Sequence, residues 1–179
     1  MGRAIFNWVC HCFFATLFVF KSKLSKHQSL YVFDLDNTLG DTYPTLIKTY
    51  SSEKERLLSI PVFPKLKRVV QMLMQSPSRQ VVFLTARSYK VWFTTQQWLQ
   101  QNGIDASLCN IVIVQKPMDK IELLQKILPR NKTVYLIDDM TWNHEKGDMK
   151  FYETEIQLLS KLPVRYIGYQ TIHRHQSKL

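Results

Sequence analysis

A chain of 179 residues with 45% apolar and 21% charged residues is long enough for one domain with a substantial core, and its five glycines exclude a collagen-like sequence. The net charge of +10 is compatible with anionic lipid, nucleic acid or a phosphorylated partner and selects none of them. Three cysteines, Cys10, Cys12 and Cys109, are too few for a disulfide framework, and Cys10-His11-Cys12 is too cramped to close a tetrahedral zinc site.

The chain opens on an apolar run over residues 4–20, AIFNWVCHCFFATLFVF, flanked by Arg3 before it and by Lys21, Lys23 and Lys26 after it. Residues 1–21 therefore read as a membrane anchor, short for a span, and the lysines favour a cytoplasmic domain behind it. A cleaved signal, which would make the protein secreted or periplasmic, and a core-covering helix of a soluble cytoplasmic protein are the alternatives. Gly2 opens no myristoylation signal, because Phe6 stands where Ser or Thr is required. Residues 22–29, SKLSKHQS, are a basic linker, and the catalytic domain is expected over 30–170, followed by a polar tail at 171–179.

Within that domain, apolar runs at 30–33, 80–84, 111–114, 133–137 and 164–167 read as strands, and apolar residues at helical spacing mark helices at 64–75, 88–101, 118–128 and 151–161. The alternation predicts an α/β fold, a Rossmann-like three-layer sandwich with a five-stranded parallel sheet. Ligands of such sheets bind at the carboxyl ends of the strands. The first strand ends in Asp34 and Asp36, the second in Thr85, the third is followed by Lys116, and the fourth ends in Asp138-Asp139. Gathered on one edge, these carboxylates require a cation, and oxygen donors without nearby histidine or cysteine suit magnesium. Two acids one residue apart can divide the work: one attacks phosphorus, the other protonates the leaving group and then activates water.

In this ordered set the chain resembles the haloacid dehalogenase superfamily of phosphohydrolases over roughly residues 30–170. Its DxDx[TV] motif is matched by Asp34-Leu35-Asp36-Asn37-Thr38, its strand ending in Thr or Ser by VVFLTAR with Thr85, its lysine by Lys116-Pro117 and its acidic motif by LIDDMTWN. The resemblance implies that Asp34 is the nucleophile of an aspartyl-phosphate and Asp36 the general acid/base. It also implies that Mg2+ is held by the Asp34 carboxylate, the Asp36 backbone carbonyl and Asp138, while Thr85 and Lys116 bind phosphate. Asp139 is a secondary candidate, as are Asn143, Lys120, one helical turn beyond Lys116, and Arg87. Asn37 occupies a position where many members have glycine, a change compatible with a turn.

The intervals between motifs leave no room for a sizeable cap domain. An uncapped site suits a bulky phosphomonoester: a phospholipid head group, a nucleic-acid end, a phosphoprotein or a glycan phosphate. A second subunit supplying the lid is the alternative. FLTAR is similar to the second motif of lipin-type phosphatidate phosphatases. Two other classes of function are weighed against the phosphatase, an idle phosphate-binding module and a membrane-tethered scaffold.

Overall fold

The computed structural model describes residues 2–128 and 132–176. Helix α1 (Gly2–Leu24) precedes strand β1 (Ser29–Phe33). Three helices follow, α2 (Tyr43–Leu46), α3 (Glu53–Leu58) and α4 (Pro64–Met74), and lead into β2 (Arg79–Thr85). The chain continues through α5 (Trp92–Gln101), β3 (Ile111–Ile113), α6 (Pro117–Ile127) and β4 (Thr133–Ile137). A small antiparallel hairpin, β5 (Thr141–Trp142) with β6 (Lys150–Phe151), precedes α7 (Glu153–Leu159), β7 (Val164–Ile167) and α8 (Tyr169–Gln176).

The five longer-range strands form one parallel sheet in the order β3-β2-β1-β4-β7. Side chains alternate along each strand, so the sheet has two apolar faces. Leu30, Val32, Val82, Leu84 and Leu136 face one core with Phe14 and Phe18 of α1 and Ile121 and Leu124 of α6. Phe33, Val81, Phe83 and Ile137 face the other with Val70 of α4, Trp98 and Leu99 of α5 and Ile172 of α8. Helices therefore cover both faces, giving the three-layer arrangement that the sequence pattern predicts.

Prolines at the first positions of α4 and α6 start those helices where the missing amide hydrogen costs nothing. Gly40 is required by close packing: a Cβ there would lie 2.8 Å from Ile60 Cγ2 and 2.9 Å from Trp98 Cζ2.

Three local expectations are revised. The helix expected over 151–161 is shorter, because Phe151 pairs with Thr141 in the hairpin. The expected polar tail begins as helix: Ile172 is buried in the core, and α8 forms around that anchor. The end of that tail, 177–179, lies outside the described residues. The basic linker also contains structure, since α1 extends to Leu24 and β1 begins at Ser29. As a helix, α1 is long and apolar enough to cross a membrane over Ala4–Leu24, but it also packs on the domain through Phe14 and Phe18.

Candidate active site

Strand register brings the acids together. Phe33 lies level with Phe83 and Ile137, so the next residues, Asp34 and Asp138, leave neighbouring strands side by side. The ladder continues past the strands: Asp34 N–H donates to the Ile137 carbonyl at 2.9 Å, and Asp138 N–H donates to that of Ile167 at 3.1 Å. These bonds fix the backbone beneath both carboxylates. Each acidic pair is then followed by a turn that crosses left-handed backbone, Asn37 at φ 57° and Met140 at φ 51°. A positive φ at methionine is strained, and strain of this kind is retained where surrounding contacts enforce it. Here the Met140 N–H donates to Asp138 Oδ1 at 2.9 Å.

Carboxylate oxygens of Asp34, Asp138 and Asp139 lie within 4.8 Å of one another, and all three residues are buried. The Lys120 ammonium donates to Asp34 Oδ1 and to Asp138 Oδ2, both at 2.7 Å. Asp139 is held from two sides. Thr38 Oγ1 donates to its Oδ1 at 2.9 Å while accepting from its backbone N–H at 2.9 Å, and the Thr141 hydroxyl donates to its Oδ2. The three acids, with Asp36, Thr85 and Lys120, border a cavity of about 130 Å³. Thr85 is 1% exposed, and its hydroxyl has no protein partner, an orphaned polar atom beside the acidic cluster.

The electrostatics follow from this arrangement. Burial, reinforced by Asp138 and Asp139, raises the Asp34 carboxyl well above its ordinary range against the pull of Lys120. Burial and the charge of Asp138 raise Asp139 to about 7, although the Thr141 and Thr38 hydroxyls oppose the shift. Burial alone would lower Lys120, but Asp138 and Asp34 outweigh it and hold the ammonium firmly charged. One lysine thus faces three buried carboxylates, a surplus of negative charge that a further cation would offset. An all-oxygen donor set with surplus negative charge fits a hard divalent cation such as magnesium.

Asp36 is set apart from this cluster. Its side chain, 36% exposed, forms a two-point ion pair with buried Arg87: Nε to Oδ2 at 2.9 Å and Nη2 to Oδ1 at 2.6 Å. Burial pushes Asp36 upward, but the Arg87 charge and hydrogen bonds prevail and leave its carboxyl below the ordinary range. The guanidinium is held in turn over the Trp98 ring, with Cζ 5.2 Å from its centroid.

Not every expected site residue reaches the cavity. Lys116 is exposed and immediately precedes α6, whereas Lys120, one turn inside, is buried among the acids. The order of the two lysines is therefore reversed. Side chains of a helix lean toward its amino terminus, so the residue one turn in reaches back over the strand ends while the residue before the helix points away. Asn143 is also elsewhere: it adopts φ 68°, and its Nδ2 donates to the Asp148 carbonyl at 2.8 Å, closing the β5–β6 turn. Asp34, Asp36, Thr85, Asp138 and Asp139 all border the cavity. Arg87 reaches its edge through Asp36. Thr38 and Thr141 orient Asp139, a role that no sequence signal marks beyond the place of Thr38 as the last residue of the DxDxT pattern.

No family model, curated protein or solved structure matches this chain.

Proposed function

We propose that this protein is a magnesium-dependent phosphomonoesterase of the haloacid dehalogenase type, without a sizeable cap, working through an aspartyl-phosphate. The observation that carries this reading is the single cavity where Asp34, Asp138 and Asp139, Lys120 and the unpartnered Thr85 hydroxyl converge. Carboxylates supply a nucleophile and a cation site, while Lys120 and Thr85 supply donors for phosphoryl oxygens. Magnesium would be held by the Asp34 and Asp138 carboxylates and the Asp36 backbone carbonyl, with Asp139 behind them. Bound there, it would neutralise phosphoryl charge and keep Asp34 ionised.

In the first half-reaction an Asp34 carboxylate oxygen bonds to phosphorus as the ester P–O bond breaks, and the leaving oxygen takes a proton from Asp36. In the second, water attacks the same phosphorus, its proton passes to Asp36, and the Asp34–phosphorus bond breaks to release inorganic phosphate. The second step suits Asp36 as it stands, ionised against Arg87. The first needs Asp36 to carry a proton, so the Arg87 pair must loosen. A substrate phosphoryl oxygen competing for the guanidinium would do this, coupling substrate arrival to readiness of the acid.

The test is hydrolysis of an aryl phosphate with and without Mg2+ by the wild-type chain and by Asp34→Asn. The amide is nearly isosteric but poorly nucleophilic, so folded Asp34→Asn should show no turnover. Turnover by that variant at the wild-type rate, or a wild-type rate indifferent to Mg2+ and chelator, would overturn the reading.

A further inference from the structure

Helix α1 is anchored along one face and bare along the other. Phe14 is buried, stacked on Tyr89 at 5.6 Å and set edge-on to Trp92 at 5.0 Å, and Phe18 is 1% exposed. The Lys132 ammonium donates to the backbone carbonyls of Ser22 and Ser25 at the helix end. On the opposite side Ile5, Trp8, Val9, Phe13, Phe20 and Leu24 are each at least 51% exposed, and only 11% of the apolar stretch is buried. The patch continues onto α5: Phe13 meets Trp92 at 5.8 Å, and its neighbour Phe93 is 67% exposed. A contiguous apolar surface spanning two elements marks a docking face.

Charge identifies the occupant. No acid occurs before Asp34, whereas Lys23 and Lys26 are exposed near the end of α1. Arg79 lines a groove with Phe20 and Leu24, and exposed Lys90 lines another with Phe6 and Asn7. An apolar stripe with cations beside both ends, and with Trp8 on it, is the pattern of a helix lying in the interface of an anionic bilayer. Spanning would instead withdraw Phe14 and Phe18 from the core.

The end of α1, at Phe20 and Leu24, lies beside Arg79 at the start of β2, whereas Phe6 and Asn7 share a groove with Ala86 and Arg87 just past its end, so the amino end of the helix lies at the edge that carries Asp34. The groove beside Phe6 and Asn7, about 370 Å³, also takes in Arg87 and Ala86, and Ala86 borders the catalytic cavity as well. We propose that α1 lies in the plane of an anionic membrane and that this groove leads the head group of a membrane-borne phosphomonoester lipid to Asp34. The docking half stands on the helix itself, whereas the substrate half rests on the phosphatase reading.

The experiment uses the 179-residue chain and preformed vesicles of phosphatidylcholine with or without phosphatidylserine. The chain should float with the mixed vesicles and bind at least about tenfold less to phosphatidylcholine alone. Trp8→Glu/Phe20→Glu should lower binding to mixed vesicles at least about tenfold with unchanged circular dichroism. Should that pair unfold, Trp8→Ser carries the same test. A tag added before Met1 should remain open to external protease. Absence of flotation, undiminished flotation of the folded variant, a protected tag or a dimer dispersed by these substitutions would overturn the docking, the last two in favour of a span and a second copy. For the substrate, phosphate release from phosphatidate in mixed vesicles should exceed that from soluble glycerol phosphate at least about tenfold. Equal rates would overturn the lipid preference alone. No release from lipid, glycerol or aryl phosphate would remove the phosphatase reading and the substrate half together, while flotation still decides the docking.

Discussion

Replacing Lys120 by methionine keeps the length and apolar stem of the side chain and removes its charge. In the native protein the ammonium lies 2.7 Å from both Asp34 and Asp138. At an effective dielectric near 20, each contact is worth about 6 kcal/mol of Coulomb attraction, much of it offset by desolvation of the buried lysine. Removing one partner of such a group leaves uncompensated buried charge and typically costs about 3–5 kcal/mol. Urea unfolding at pH 7.5 without divalent cation should therefore show a loss of about 4 kcal/mol, a midpoint lower by about 2 M. Proton uptake by the acids should reduce the loss at pH 5, and Mg2+ should recover part of it at pH 7.5. Turnover should fall by about 10²–10³, the scale of one preorganised donor. Lys116→Ala, at an exposed position, should stay within about 0.5 kcal/mol of wild type and keep its rate. A Lys120→Met protein as stable as wild type at pH 7.5, or a larger loss of rate in Lys116→Ala, would refute the reasoning.

Other measurements probe the remaining members of the site. Thr85→Val removes an unpartnered buried hydroxyl, so stability should be unchanged or higher while turnover falls by about 10²-fold; a matching loss of stability would show that the hydroxyl has a structural partner. Arg87→Gln should cost about 3 kcal/mol at pH 7, less than a fully buried pair because Asp36 is partly solvated. The Asp36 carboxyl is held low in the folded state, so the pair's contribution is present above the unfolded value near 3.9 and lost as pH falls through the folded one. The difference between wild type and Arg87→Gln should accordingly narrow below about pH 4, and a constant difference would dissociate the two groups. Asp139 behaves oppositely: raised to about 7, it binds more protons folded than unfolded between pH 4 and 7. Cation-free protein should therefore lose stability as pH rises through that window, and Mg2+, which favours the ionised cluster, should flatten the decline in chemical denaturation curves.

The sequence alone determined the sheet and the list of acids. Apolar runs of four or five residues between amphipathic stretches can be satisfied only as buried strands under helices, and 30–33, 133–137 and 164–167 appear almost unchanged as β1, β4 and β7. Asp34, Thr85 and Asp138 were legible because a residue at or just past the carboxyl end of a parallel strand must lie on one edge of the sheet, whatever the details of packing. Tertiary structure decided what those residues touch. Choosing Lys120 over Lys116 needed the starting point of α6 and the lean of its side chains, a difference of one helical turn that spacing along the chain does not encode. Pairing of Asp36 with Arg87, and of Thr38 with Asp139 across the sheet edge, joins residues 51 and 101 positions apart. The same holds for α1: composition marks it as apolar, but only its packing shows which side is covered by Phe14 and Phe18 and which side, carrying Trp8 and Phe20, is left for another surface.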